Sequence, residues 1–439
     1  MAHVTVLGAG LVAGPVVRHI LEASSHTVTV AARSIDRANE LVGGHPRGSA
    51  VVFDIDNAAA LDGLAAKSDV LVSMLPYLHH VKVAEACIAH GHHLVTTSYV
   101  SPAMRTLHDR AAAAGVVLLN ELGLDPGIDH MSAMKIIHGV RAAGGTITSF
   151  RSYCGGLPAP ESNDNPFGYK FSWSPRGVVL AARNAAKYLR DGVEVVVPGP
   201  DLFAHPERVT VEGAGVFEGY PNRDSTAYVN VYDLTGVKTM FRGTLRNLGH
   251  CETWKAMADI GLFDDAGRRY DVETYRGVLA ALAGVTVEGD VEGAVAAKAR
   301  VARDSAPMQK LTWLGMFDGA PLPAEGTSPL DALVSRMLER LQYKPGERDM
   351  IALQHEFIAE YGDRREMLRS TLVDFGVPGG ASAMSRTVGL PAAIGVLRIL
   401  DGTIRDRGVV VPVTPEVYNP ILDELESLGI RFHEERHPA

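Results

Sequence analysis

The first residues whose spacing carries chemistry are Gly8, Ala9, Gly10, Leu11, Val12 and Ala13, a Gly-x-Gly-x-x-Ala run directly after the apolar stretch Val4–Leu7. Gly8 permits a tight turn, Gly10 lets backbone approach a pyrophosphate, and Ala13 is small enough for a helix to pack closely on the strand. A helix beginning there offers free N–H groups and its positive dipole end to an anion. Alone the pattern is common. Here a strand precedes it, a helical pattern follows, and a second strand, Thr27–Ala32, arrives on schedule, which predicts a dinucleotide site. That second strand ends in Arg33-Ser34, where an acidic residue for the ribose 2′-hydroxyl of NAD is usual. A guanidinium beside a hydroxyl suits a 2′-phosphate instead, so NADP(H) is expected. Asp54 ends the third strand, placed for the adenine amino group. Leu75 precedes Pro76 where a nicotinamide ribose would pass.

Further along, Thr97, Ser98 and Tyr99 close a fifth strand with hydroxyls, at the sheet edge where open α/β folds bind ligands. The run Glu121–His130 sets Leu124, Asp125 and Pro126 beside a Pro-Gly turn. Cys154 stands next to Gly155-Gly156, read as a flexible pair. Arg223 and Arg246 sit in turn-like polar contexts that suit bidentate capture of carboxylates. Each group also has a plainer reading. Asp125 can cap the helix after Pro126, Cys154 can be a small buried hydrophobe, and an arginine is commonly a surface ion pair. His79, His80, His90, His92 and His93 do not match a metal-ligand helix, so no metal is expected.

These residues need elements to hold them. Val4–Leu7, Thr27–Ala32, Val51–Asp54, Val70–Leu75, His93–Thr97 and Val116–Asn120 read as strands, with helical segments such as Val12–Ala23 and Val81–His90 between them. That alternation predicts an α/β fold with a Rossmann-type, doubly wound parallel sheet. From Gly144 the texture changes. Phe150–Cys154, Glu194–Val197, Arg208–Val211, Tyr228–Tyr232 and Thr239–Arg242 are rich in β-branched and aromatic residues and predict a mixed sheet in an α+β domain. Roughly 252–347 reads as a helical insertion, because Leu330, Leu333, Val334, Met337, Leu338 and Leu341 recur at helical spacing. Met350–His355 and Ser370–Phe375 read as returning strands, and Ala383–Leu400 as a helix that packs back on the first domain.

Composition sets outer limits. The chain has 439 residues, 46% of them hydrophobic, enough for two or three cores. A net charge of −9 leaves no basic field for nucleic acid. No run approaches the roughly 20 apolar residues of a membrane span, and Met1–Leu7 lacks the basic start of a secretory leader. Three widely spaced cysteines, Cys87, Cys154 and Cys251, argue for a reducing compartment, so a cytoplasmic protein is expected.

Taken together, Gly8–Ala13, Ala32–Ser34, Ser73–Tyr77, Thr97–Pro102, Glu121–His130, Ser152–Pro160, Asp164–Ser174, Tyr220–Ser225, Gly243–Arg246, Glu347–Met350 and Ser370–Asp374 resemble the NADP-dependent, glutamate-forming saccharopine dehydrogenases over nearly the whole chain. The resemblance implies three parts. They are a dinucleotide-binding domain (1–126 with 387–439), an α+β substrate and dimerisation domain (127–251 with 348–386), and the helical insertion (252–347). It implies a homodimer and reversible cleavage of saccharopine to L-glutamate and L-2-aminoadipate 6-semialdehyde with hydride transfer to NADP+.

Cofactor contacts carried over by resemblance fall on Ala9, Gly10, Leu11, Val12, Arg33, Ser34, Asp54, Ile55, Leu75, Thr97, Ser98, Leu124, Pro126 and Trp173. Substrate contacts fall on Ser98, Tyr99, Asp125, Arg223, Thr244, Leu245 and Arg246. Three substrate carboxylates need cationic partners, which the arginines supply. Asp125, Tyr99 and Cys154 are the candidates for proton chemistry, with Asp125 preferred as partner of the ammonium. Two rivals stand beside this reading: a carboxynorspermidine dehydrogenase, whose diamine substrate needs fewer arginines, and a nucleotide-sensing scaffold without chemistry.

Overall fold

The computed structural model describes residues 1–265, 272–323 and 328–439. The chain forms two compact units, 1–146 with 380–432, and 147–379 with 433–439.

In the first unit the strands are β1 (His3–Leu7), β2 (Thr27–Ala32), β3 (Gly48–Val52), β4 (Val70–Ser73), β5 (His93–Thr96) and β6 (Val117–Leu119). They form a parallel sheet in the order β6-β5-β4-β1-β2-β3, extended beyond β6 by the late strand Gly408–Val410. Val4, Val6, Val28, Val30, Leu71, Val72, Leu94 and Val95 are all buried, as strands covered by helices on both faces require. Sheet growth reverses between β1 and β4, so the turns after these strands open a crevice at the carboxyl edge.

The helix Gly14–Ala23 buries Val16, Val17, Ile20 and Leu21 and packs against Ala383–Leu400. The two approach closely at Gly389, where a Cβ would stand 3.0 Å from the Val12 carbonyl oxygen. By length and composition Ala383–Leu400 could cross a membrane, but it is mostly buried inside the fold. The expected return of this helix to the first domain is therefore what the structure has.

The boundary of this unit falls after residue 146 and not at 126, because the helix Ile128–Ala142 packs on Pro415–Ser427, with His138 Nδ1 2.8 Å from the Tyr418 hydroxyl. The final strand, His433–Pro438, was expected with the first domain. It belongs to the second unit, where it pairs antiparallel with residues 366–371.

In the second unit β7 (Thr146–Pro158), β8 (Ala186–Arg190), β9 (Val193–Val197), β10 (Glu207–Val211), β11 (Gly215–Pro221), β12 (Thr239–Arg246), β13 (Asp349–Tyr361) and β14 (Arg364–Phe375) join His433–Pro438 in one sheet. It is mixed: β7 and β12 run parallel, while β10–β11, β11–β12, β12–β8, β8–β9, β13–β14 and the pairing of β14 with His433–Pro438 are antiparallel. Tyr153 lies across this sheet over two glycines. A Cβ on Gly243 would come 3.1 Å from its ring and one on Gly219 2.9 Å, and the hydroxyl reaches Glu207 at 3.1 Å. The ring replaces the side chains the glycines lack, so strands β12 and β11 are roofed by a residue of β7.

Tyr228–Tyr232 is not a strand. Asp224 accepts the Thr226 amide at 2.9 Å, which starts a turn, and Tyr228–Val231 is helical. Helical geometry brings Tyr228 and Tyr232, four residues apart, within 5.5 Å. The helices between His250 and Arg340 share one core with Phe167, Tyr169, Phe171 and Val178, so the segment before β8 joins the helical layer.

Gly219→Ala forces its methyl against the Tyr153 ring and Val209, both about 2.9 Å away. Such overpacking costs about 1–3 kcal/mol. A thermal melt is expected to show a midpoint several degrees below wild type, and an unchanged midpoint would contradict this account of Tyr153.

Candidate active site

Gly8 has φ +105, a value favouring glycine, and a Cβ there would lie 3.1 Å from the Met74 carbonyl oxygen. Its amide donates to Ala31 at 2.8 Å, which ties the turn to β2. Ala13 is wholly buried at the start of the helix. Gly10 differs from both: a Cβ there would meet nothing within 4 Å. The protein's own packing does not require glycine at that position. What the missing side chain leaves is clear approach to backbone at a helix N-terminus, with Leu11 exposed and Val12 half-buried beside it. This fits a pyrophosphate.

Arg33 is exposed with no hydrogen bond or ion pair among the described residues. Ser34 caps the helix Ile35–Val42 by accepting the Arg37 amide at 3.4 Å. Asp54 sits in an exposed turn and accepts the Asp56 amide at 3.0 Å, while the Ile55 carbonyl accepts from Lys82. Leu75 lies beside Gly8. The predicted cofactor residues of this unit thus share the carboxyl edge of one sheet.

At the end of β5, Ser98 is fixed from below by His80. Its ring nitrogens contact Ser73 Oγ at 2.9 Å on one side, and Ser98 Oγ at 2.8 Å and Thr96 Oγ1 at 3.0 Å on the other. Burial pulls the His80 pKa down to about 4. The imidazole is therefore a neutral strut under Ser98.

Tyr99 donates its hydroxyl to Asp125 Oδ1 at 2.6 Å. The loop holding Asp125 closes on itself. The Gly123 amide donates to the Pro126 carbonyl at 2.9 Å, the Asp129 amide to the Leu124 carbonyl at 3.0 Å, and the Asp125–Pro126 peptide is cis. Gly127 has φ +149, and a Cβ there would lie 2.1 Å from the Gly123 carbonyl oxygen; Gly123 in turn leaves room for Thr97. The helix Ile128–Ala142 has Gly127 at its N-cap, and Asp129 accepts the Gly127 amide at 2.6 Å. Asp125 is not the cap. Its carboxylate is engaged by a phenol instead.

In the second unit Cys154 on β7 pairs with Thr244 on β12, which pairs with Tyr220 on β11. The glycine pair after Cys154 is not a flexible hinge: both residues lie in β7, and a Cβ on Gly155 would stand 2.6 Å from the Leu245 carbonyl oxygen. Arg246 is buried, only 7% exposed, with one guanidinium nitrogen on the Leu245 carbonyl at 2.8 Å and its carbon 5.0 Å from the Tyr169 ring centroid. No carboxylate lies within ion-pair distance of it among the described residues. Tyr220, His250 and Cys154 complete its surroundings.

Burial pushes the Tyr220 phenol up to about 12 and the Tyr169 phenol up as well, while burial and Arg246 hold His250 well below its usual range. All three are neutral near pH 7, and the arginine's charge is unanswered. Leu245 turns its side chain into the core on the opposite face, so it can offer a ligand only backbone. Arg223 is exposed with φ +52, and its carbonyl is held by the Lys187 amide at 2.8 Å. Trp173 is half-buried against the helical core. Tyr169 and His250 are the members of this wall that the sequence reading missed; the signal available was their clustering with Arg246, which is a matter of folding and not of spacing.

His80 tests the electrostatics of the site. With a folded pKa near 4 and an ordinary value of 6.5, the unfolded chain binds more protons between these limits, so stability falls as pH drops from 6.5 towards 4. The shift corresponds to about 3 kcal/mol. Denaturation measured across this window should show His80→Gln losing correspondingly less stability than wild type; parallel curves would sink the assignment.

Two family models match the chain, "Saccharopine dehydrogenase NADP binding domain" over residues 4–119 and "Saccharopine dehydrogenase C-terminal domain" over residues 123–430. A Schizosaccharomyces pombe protein named saccharopine dehydrogenase [NADP(+), L-glutamate-forming] is 39% identical over 99% of both chains. One of the same name from Saccharomyces cerevisiae is 42% identical over 98% of both. The alpha-aminoadipic semialdehyde synthase of Bos taurus is 36% identical over 98% of this chain and 47% of its own length. The solved structure of apo saccharopine dehydrogenase (L-Glu forming) from Saccharomyces cerevisiae superposes with a TM-score of 0.89, at 40% identity and full coverage of both chains. By these matches, over a chain that carries the glycine turn, the exposed Arg33 and the buried Arg246, the protein belongs to the saccharopine dehydrogenase family.

Proposed function

We infer that this chain catalyses the reversible, NADP-linked oxidation of saccharopine's secondary amine, giving L-glutamate and L-2-aminoadipate 6-semialdehyde. Full-length relatives carry this activity in their names. Within the structure Arg246 carries the reading. A guanidinium that is buried and lacks a carboxylate is costly unless a ligand brings the anion. Saccharopine brings three carboxylates. A diamine substrate would leave the arginine unanswered, and a sensing scaffold would have no use for the Tyr99–Asp125 pair.

Bound NADP+ supplies the hydride acceptor, held by the Gly8–Ala13 turn with Arg33 and Ser34 at the 2′-phosphate. Arg246 takes one substrate carboxylate, with Thr244 beside it, and Arg223 takes another. Cys154, opposite Thr244, stands beside this group as a further candidate for proton chemistry. Asp125 pairs with the substrate ammonium and takes its proton, which frees the nitrogen lone pair for hydride loss. Tyr99 fixes the carboxylate for that task through their 2.6 Å bond. Water adds to the protonated imine carbon and gives up one proton to solvent and one to the departing amine, while Asp125 returns its own to the glutamate nitrogen; the C–N bond breaks as the carbonyl forms. The enzyme works on this small molecule as a cytoplasmic homodimer with no nucleic acid or membrane partner. That none of the three buried cysteines forms a disulfide, together with the net charge of −9, supports this, and the dimer rests on family resemblance.

Two substitutions separate these roles. Asp125→Asn should lower kcat by about 10²-fold or more while leaving the Kd for NADPH nearly unchanged. Arg246→Met should lower kcat/KM for saccharopine by about 10²-fold, mainly through KM. Wild-type turnover in the first would remove Asp125 from the chemistry, and an unchanged KM in the second would remove Arg246 from carboxylate binding.

A further inference from the structure

We propose that Glu121 is a positioning residue for Tyr99 and Asp125, linked through His130 and Asp129; this rests on the roles assigned above to that pair. Glu121 touches the chain on both sides of Tyr99. Its amide donates to the Ser98 carbonyl at 3.1 Å, and its Oε1 accepts the Val100 amide at 2.9 Å. One residue therefore grips the tyrosine's backbone before and after the side chain that orients Asp125. Glu121 does so with φ +57, a conformation that residues with a Cβ seldom adopt.

The grip continues inward. Glu121 Oε2 lies 2.8 Å from His130 Nε2, and His130 Nδ1 lies 3.7 Å from Asp129 Oδ2. Asp129 Oδ1 accepts the Gly127 amide, while its own amide holds the Leu124 carbonyl next to Asp125. His130 thus stands between Glu121, which holds the backbone around Tyr99, and Asp129, which holds the backbone around Asp125; its 3.7 Å approach to Asp129 is a contact and not a hydrogen bond. Glu121, Asp129 and His130 are all buried. Two carboxylates so deeply placed are expensive to keep, and a hydroxyl could have capped the helix in place of Asp129. What the trio adds is fixed geometry between the two partners of the 2.6 Å bond, the kind of support a reacting pair needs.

The test is a double-mutant cycle on the full-length enzyme. Glu121→Ala should lower kcat about 10-fold or more, with the Kd for NADPH within about 2-fold of wild type. Glu121→Gln keeps an oxygen for the Val100 amide and should retain most of kcat. In a Tyr99→Phe background, Glu121→Ala should cost little further, because the orientation it protects is already lost. If Glu121→Ala does not fold, Glu121→Asp, which keeps the charge but withdraws from Val100, takes its place with the same expectation. A slow Tyr99→Phe enzyme in which the Glu121 change costs as much as in wild type overturns the positioning role alone. Wild-type kcat in Tyr99→Phe removes the tyrosine from the reading of the site, and the positioning role falls with it.

Discussion

Keeping charge away from water is the constraint that organises this protein. A guanidinium or carboxylate loses far more on desolvation than a single hydrogen bond returns, so each buried one must be answered by a partner or by a ligand. The two units meet this demand in opposite ways. Around Glu121, Asp129 and His130 the buried polar groups stand against one another. Around Arg246 the neighbours are Tyr169, Tyr220, His250 and Cys154, and burial keeps the two phenols and the imidazole uncharged. The first set finds its partners within the protein; the guanidinium of the second has no carboxylate beside it among the described residues.

Much of the first unit could be read from the amino acids because its logic is local. Strand, glycine turn, helix and strand follow one another within about thirty residues, and the αβ alternation then repeats. Arg33 was legible for the same reason, since its position at a strand end is set by counting. Asp125 was not. Whether it caps the next helix depends on where a side chain turns within one loop, and only the closure of that loop around Gly123 and Gly127 shows that it bonds Tyr99 and is not the cap.

The second unit was less legible because its contacts are distant in sequence. Tyr228–Tyr232 has the composition of a strand, but Asp224 and the preceding turn wind it into a helix. Gly155 looks like a hinge until the Leu245 carbonyl is seen pressed against it. Tyr169 and His250 reach Arg246 from elements far apart along the chain. The helical layer likewise draws in Phe167, Tyr169 and Phe171, which nothing in their spacing assigns to it.

The alternation of β7, β11 and β12 has a further consequence for how this wall can change over time. Tyr153, Gly219, Gly243 and Leu245 all serve the interior, whereas Cys154, Tyr220, Thr244 and Arg246 lie on the reverse side. Odd positions pack one face of the sheet, and even positions line the face that holds the buried Arg246. Substitution on one face can therefore alter the surroundings of that guanidinium while the letters of the other face stay fixed, so the two sides of these strands can vary on separate terms.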